Sequence, residues 1–245
     1  MMQRVYIGID DTDNLETRGT GFRARQLMQR LEAQRLARGV GITRHQLLFD
    51  KRVPYTSHNS SACLVIESDR QADEIATVCR EFLLEIAAIG SDIGLCVATE
   101  FQAQQATGFG QMAKVDLVMQ EQAKEIAERF SILLEGLTGD HQGIIGALSA
   151  VGLHVEGNDG RYIWGRGLRD YDNQVMTLGM LRKKTNIDKV TLLDGSEVVS
   201  EQVKIALGSW PRTVRLGKQA VLLVEKLSGN KFKVLDKAVI KSIHP

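Results

Sequence analysis

Three aspartates fall within four positions in IGIDDTDN, residues 7–14, directly after an apolar run, and the chain then passes through Gly19-Thr20-Gly21 into a periodic segment. Carboxylates crowded in this way repel one another unless a cation or a donor-rich ligand lies between them. If the strand runs on past Asp10, side-chain alternation puts Asp11 and Asp13 on one face. With Asp10 they make a candidate Mg2+ site, because Mg2+ takes one or two carboxylates and completes its shell with water and phosphate oxygens. Gly19, Thr20 and Gly21 then offer backbone N–H groups to those phosphates at a helix start. Thr12 and Asn14 flank the cluster as further nucleotide contacts. The competing reading is a turn whose aspartates cap the helix and otherwise meet water.

Further residues could serve the same chemistry. His58, Asn59 and Ser60 lie in the polar loop KRVPYTSHNSS, where an imidazole that titrates near neutral pH could contact phosphate or act as an acid–base group; with Asp11 it is the candidate catalytic pair. In GDHQGIIGALSAVG, Gly143 and Gly146 open a helix after a polar turn, a pattern that suits either an anion or close helix packing. Asp140 and His141 are candidate ligands or a cap. Arg166 and Arg169 follow a short strand and could bind phosphate, with a solvated edge as the alternative. Trp210-Pro211-Arg212-Thr213-Val214-Arg215 mixes an aromatic with two arginines, as a nucleic-acid clamp or an anchored loop does.

The elements that must position these groups alternate along the chain. Val5–Ile9 reads as a buried strand. Phe22, Leu27, Leu31 and Leu36 give an amphipathic helix from Thr20 to about Arg38, with Thr20 as a possible cap. Strands are expected over 41–50 and 62–67, a long helix over 69–88 and another strand after GSDIG. Residues 101–117 suit an insertion or a short helix pair. Helices are expected over 118–130 and 143–151, extended chain over 131–137, and two short strands at 153–156 and 162–164 around the turn GNDG. After Arg182-Lys183-Lys184, strand–turn–strand patterns predominate.

Composition bounds the function. The 245 residues are 43% apolar and 25% charged, as in a globular protein of one to three domains. No apolar run approaches the ~18 residues that span a bilayer and the N-terminus lacks a secretory pattern, so a cytoplasmic protein without membrane contact is expected. Cys63, Cys79 and Cys96 are widely spaced, which suggests buried thiols and neither a disulfide framework nor a zinc site. The net charge of +1 conceals an asymmetry: residues 161–245 hold 16 Lys and Arg against 8 Asp and Glu, and the remainder 15 against 22. A basic C-terminal third suits contact with nucleic acid, or a solvated surface.

Five blocks in order, IGIDDTDN, VPYTSHNSSACL, GSDIGLCVA, HQGIIGALSAVG and YIWGRGLRD, together resemble the archaeal tRNA-isoleucine agmatinylcytidine synthetase family. That family uses ATP to phosphorylate a cytidine of the tRNA anticodon, and agmatine then displaces the phosphate. The resemblance implies an α+β chain: a kinase-like α/β part over 1–115 that binds nucleotide and metal, a ferredoxin-like part over 116–185 and a small β-rich appendage over 186–245. It also implies ATP and Mg2+ as cofactors, with a nucleotide, and tRNA through the basic C-terminal third, as partners. The sequence departs from the family's pattern in three places. The family's threonine pair, one member of which becomes phosphorylated, corresponds to Phe22 and Arg23, leaving Thr17 and Thr20 as the nearby hydroxyls. The family's Lys-Thr-Arg-Gly-Asn-like loop is Thr56-Ser57-His58-Asn59-Ser60. Its OB-fold and zinc ribbon have no intact counterpart, with about 60 residues after position 185 and no cysteine pairs.

The expected function is an ATP- and Mg2+-dependent phosphoryl-transfer or ligase-type enzyme acting on tRNA or a nucleotide-like substrate. The alternatives are a non-catalytic nucleotide- or RNA-binding module, and a haloacid-dehalogenase-like phosphatase that uses Asp11 and Asp13. The latter class normally has Thr or Val where this chain has Leu15.

Overall fold

The computed structural model describes residues 2–53 and 58–244 and shows an α+β protein of two compact units, Met1–Glu156 and Gly157–Pro245. In unit 1 the chain runs β1 (Gln3–Asp10), α1 (Thr20–Ala33), β2 (Arg38–Gln46), β3 (Ser60–Ser68), α2 (Ala72–Glu85) and β4 (Gly94–Thr99). Helices α3 (Glu100–Gln105), α4 (Thr107–Val115) and α5 (Gln120–Phe130) follow, then β5 (Leu133–Gly136) and α6 (Gly143–Glu156). All pairings within this unit's sheet are antiparallel, in the order β5-β4-β1-β3-β2. The βαββαβ path with β4-β1-β3-β2 is the ferredoxin-like arrangement, formed by residues 3–99. Residues 116–185, where the sequence suggested it, instead supply α5, β5 and α6 to unit 1 and the first part of unit 2.

The two faces of the sheet follow from alternation along β1. Val5, Ile7 and Ile9 are fully buried, while α1 and α2 pack on the sheet together. Tyr6, Gly8 and Asp10 point the other way, toward α6. The α6 sequence GIIGALSAVGLHVE carries no charged residue but its terminal Glu156 and is buried nearly all round. A helix apolar on every side needs cover on every side, and α3, α4 and α5 supply it opposite the sheet. Leu153–Glu156, expected as a strand, is the last turn of this helix: its apolar run continues the helical stripe without a breaker until Gly157. The helix pair suggested for 101–117 is present as α3 and α4, with Thr99 and Gln102 closing a capping box.

One polar group crosses this core. The Thr43 hydroxyl lies 2.7 Å from His45 Nε2 and 2.7 Å from His154 Nδ1, joining β2 to α6. A hydroxyl has a single proton to donate, so at most one imidazole accepts from it and at least one donates to it. Cys63, Cys79 and Cys96 are buried free thiols as expected, and burial pushes Cys79 up to about 12.

Unit 2 holds β6 (Arg161–Gly165), β7 (Val175–Thr177), α7 (Leu178–Lys184), β8 (Lys189–Thr191), β9 (Lys204–Ala206), β10 (Val214–Leu216), β11 (Gln219–Ser228), β12 (Lys231–Val234) and α8 (Lys237–Ile243). Strand β11 pairs with β10 and β12 antiparallel and with β8 parallel. The expected β-rich character holds, except that AVI near the end belongs to α8. Among the described residues no helix is long and apolar enough to cross a membrane.

Gly8 is where β1 and α6 meet backbone to backbone: a Cβ there would stand 1.9 Å from the Ala147 carbonyl oxygen. That obstacle has no rotamer to escape into. Gly8→Ala is expected to cost about 3 kcal/mol, the upper end of overpacking penalties, read as a fall of about 6–12 °C in the thermal midpoint; an unchanged midpoint would contradict this packing.

Candidate functional site

The C-terminal end of β1, the N-terminal ends of β3 and β4 and the C-terminal end of β2 share one sheet edge, because Asp10 pairs with Gly94, Ile9 with Ala62 and Gln46 with Ser60. The starts of α1 and α6 reach the same edge, Gly19 near Asp13 and Gly143 against Gly94. Antiparallel topology thus gathers Asp10, Asp11, Asp13, Ser60 and Gly143 from distant parts of the sequence.

Asp10 is the last residue of the row facing α6. A Cβ on Gly146 would lie 1.7 Å from Asp10 Oδ2, so the carboxyl rests on the helix backbone itself. This carboxyl is pushed up to about 7, by burial first and by Asp11 and Asp13 after it, with a hydrogen bond with the Asp11 backbone and the Arg44 charge partly offsetting the rise. Asp11 is raised to about 6, by burial first and then by Asp92 and Asp13, against a hydrogen bond from the Asp92 backbone. Asp92, which the sequence reading did not single out although it lies in GSDIGLCVA, is therefore part of the cluster. Its Oδ2 accepts the Gln142 N–H at 3.0 Å, at the entry to α6. Arg44 was missed as well; its Nε donates to Ser60 Oγ at 2.9 Å.

Alternation does not carry through the cluster. Asp11 has φ +48°, which ends the strand and turns the chain, so Asp11 and Asp13 do not share a strand face. Asp13 Oδ1 instead accepts both the N–H and the hydroxyl of Thr20, each at 2.9 Å. Gly19 holds the N-cap position of α1 without a side-chain bond, and Asp13 supplies the cap that Thr20 was expected to give. Thr12 is buried and donates to Thr20 Oγ1 at 3.2 Å. Asn14 folds the loop, accepting from the Glu16 N–H and donating to the Ile89 carbonyl. Gly21, second in α1, has an N–H without a hydrogen bond among the described residues, as a first-turn donor does until a ligand arrives.

The remaining expected residues divide. Asn59 braces the connection from β2 to β3, its Nδ2 donating to the Leu48 carbonyl at 2.8 Å. His58 is exposed beside it; Thr56 and Ser57 lie outside the described residues. Gly143 has a packing reason, since a Cβ there would meet the Asp92 carbonyl oxygen at 2.0 Å. His141 adopts φ +66° and the Asp140 carbonyl accepts from Gln120 Nε2. Arg166 is an exposed residue of unit 2, its carbonyl bound by the Asn186 N–H. Also in unit 2, Arg169 stacks 4.3 Å from the centre of the Trp210 ring.

Among the described residues no group of three or more His, Cys, Asp and Glu side chains is arranged to hold a metal ion. The expected set of three carboxylates thus narrows to Asp10 and Asp11, with Asp13 turned onto Thr20. Two carboxyls neighbouring in sequence, both raised by burial first and by acidic neighbours second, fit a divalent cation that brings its own water and phosphate ligands, since positive charge favours their ionised forms.

No family model matches the chain. Among curated proteins, the isoleucine-tRNA 2-agmatinylcytidine synthetase TiaS of Archaeoglobus fulgidus is 29% identical over 158 residues, covering 62% of this chain and 36% of that protein. Among solved structures, a tRNA fluorescent labeling enzyme and a complex of TiaS with its isoleucine tRNA and ATP are each 27% identical with a TM-score of 0.55, covering 61% of this chain and 36% of theirs. Apo TiaS is 26% identical with a TM-score of 0.54. The likeness expected from the five sequence blocks is borne out, and the chain spans about a third of the length of these relatives.

The raised carboxyls bind protons more tightly in the folded than in the unfolded chain, whose aspartates titrate near 3.8. Their contribution to stability is complete below that value and is lost as pH rises toward 6–7. Asp10→Asn, a neutral stand-in for the protonated acid, is expected to match the parent at pH ~4 and to melt about 4 °C or more above it at pH ~7.5. A pH-independent difference in thermal midpoint would show that Asp10 is not buried as a strained acid.

Proposed function

We propose that this TiaS-like chain binds ATP with Mg2+ at the sheet edge bearing Asp10 and Asp11, and that it catalyses phosphoryl-transfer or ligase-type chemistry on tRNA or a nucleotide-like substrate in the cytoplasm. The observation that carries the reading is the Asp10–Asp11 pair, pushed up to about 7 and 6 by burial and like charge at a convergence of helix starts. The likeness to TiaS, whose solved forms include complexes of the enzyme and its isoleucine tRNA with ATP or with an ATP analogue and agmatine, supports the nucleotide and the RNA substrate.

Within this reading each group has a physical task. Asp10 and Asp11 hold the cation, with Arg44 and the Asp92 backbone N–H limiting the charge that must be neutralised. Mg2+ supplies neutralisation of the phosphate charge when it is bound. The Gly21 N–H at the start of α1 binds a phosphate oxygen, and Asp13 holds that start in place through Thr20. Glycines at 19 and 21 let a ligand approach the backbone closely. His58 is exposed at the same end of the sheet as Ser60, where it can meet phosphate or move a proton. Asp11 would be one of the ligands of that metal, which would supply the positive charge for the reacting phosphate.

The phosphatase reading needs Asp11 and Asp13 side by side at a strand end, and the Asp13–Thr20 bonds turn the second carboxylate away. A module that binds without catalysis keeps every contact described above. It is separated by turnover, since only the enzyme consumes ATP when offered RNA.

Titration of ATP with and without Mg2+ tests the reading. Mg2+-dependent binding is expected, weakened at least about tenfold, ~1.4 kcal/mol, in Asp11→Asn. Binding that ignores both Mg2+ and the substitution would remove the metal–nucleotide assignment.

A further inference from the structure

At the opening of α1 a cluster of positive charge stands without an acidic partner. Arg18, Arg23 and Arg25 surround the Phe22 ring, their guanidinium carbons 4.6, 5.9 and 5.8 Å from its centre. Most other arginines of unit 1 have an acidic partner, among them Arg30 with Glu85, Arg38 with Glu67, Arg52 with Asp50 and Arg80 with Glu135. Arg18, Arg23 and Arg25 form no ion pair among the described residues; only Arg23 Nη1 has a side-chain partner, donating to Gln26 Oε1 at 3.1 Å. Arg23 Nε is buried with no acceptor. Burial and the neighbouring Arg18 charge hold Arg25 below the ordinary arginine value. The first turn of α1 contains no acidic residue either.

Like charges drawn together on one aromatic ring, with an acid available elsewhere for most other arginines, are stabilised by an anion placed among them. We propose that Arg18, Arg23 and Arg25 around Phe22 form a subsite for the phosphates of a single-stranded RNA segment, adjoining the aspartate edge. This rests on the nucleotide reading above for its place beside a reacting phosphate, although the RNA contact itself stands on the arginines. A single strand suits the cluster better than a free phosphate does. Three guanidiniums share one aromatic ring, Arg18 reaches out from an exposed position, and arginine with an aromatic ring is the combination that grips backbone and base together. Arg18 directly precedes Gly19, which stands near Asp13, so the subsite adjoins the aspartate edge.

The test is the binding of a fluorescein-labelled single-stranded oligouridylate over about 0.05–0.2 M salt, by fluorescence anisotropy, with ATP·Mg2+ titrated separately. For Arg18→Gln/Arg25→Gln, RNA affinity is expected to fall about tenfold or more, and the slope of log K against log salt to lessen by ~1.4, two single-strand phosphate contacts at ~0.7 each. Its melting point and its affinity for ATP·Mg2+ are expected to stay at the parent values, because neither side chain forms a hydrogen bond or ion pair among the described residues. Arg18→Lys/Arg25→Lys should restore the salt slope. Parent affinity and slope in the Gln variant would overturn the proposal, as would absence of RNA binding by the parent. A variant that loses ATP·Mg2+ and keeps RNA would assign the cluster to the nucleotide instead. Failure of the parent to bind ATP·Mg2+ while RNA binding shows the expected losses would overturn the nucleotide reading alone.

Discussion

The backbone contact between α6 and the sheet governs the candidate site. At Gly8 against Ala147 and Gly94 against Gly143 no side chain fits between helix and strand, and at Gly146 the Asp10 carboxyl takes the space a Cβ would need. Contacts of this kind fix a helix along its axis and about it, since any sliding drives a carbonyl into a neighbouring residue. The electrostatics of the site then follow from packing. Because α6 closes over the end of β1, the Asp10 carboxyl is enclosed, and enclosure is the first cause of its raised proton affinity. A bulkier residue at position 146 would displace the carboxyl and relieve the strain together.

The four carboxylates of this edge do not share one role. Asp13 and Asp92 are spent on helix entries, one through Thr20 and the other through the Gln142 N–H. Asp10 and Asp11 are instead raised, by burial first and then by their acidic neighbours. Division of the cluster into capping and raised members brings the two readings of IGIDDTDN together, because a capping turn and a pair of raised carboxyls occupy the same eight residues.

The strong periodic signals were legible in the sequence: β1, the amphipathic α1, the long α2 and the start of α6 fall where their patterns put them. The end of α6 was not, since LHVE reads equally as a short strand, and only the cover provided by α3, α4 and α5 favours the helix. The ferredoxin-like order was misplaced because strand pairing depends on contacts far apart in sequence, such as Asp10 with Gly94. For the same reason Asp92 and Arg44 joined the site unannounced: each is an ordinary residue locally and becomes a neighbour of Asp10 or Asp11 only through register. The alternation expected of Asp11 and Asp13 failed for a local reason, the left-handed φ of Asp11, a conformation that aspartate tolerates better than most residues.

The acidic and the basic clusters stand a few residues apart and yet do not neutralise each other. Asp13 is held by Thr20, and Arg18 is drawn over Phe22, so the two most obvious partners are each committed elsewhere. Pairing them would be the cheaper arrangement for a chain selected for stability alone. Charges of both signs, fixed in one short stretch from the end of β1 into α1, are instead suited to a ligand that carries both signs itself, as a metal-bound phosphate does. Local instability retained at a point of convergence is the signature expected of a binding site, and here it arises from the identities of residues 10–25.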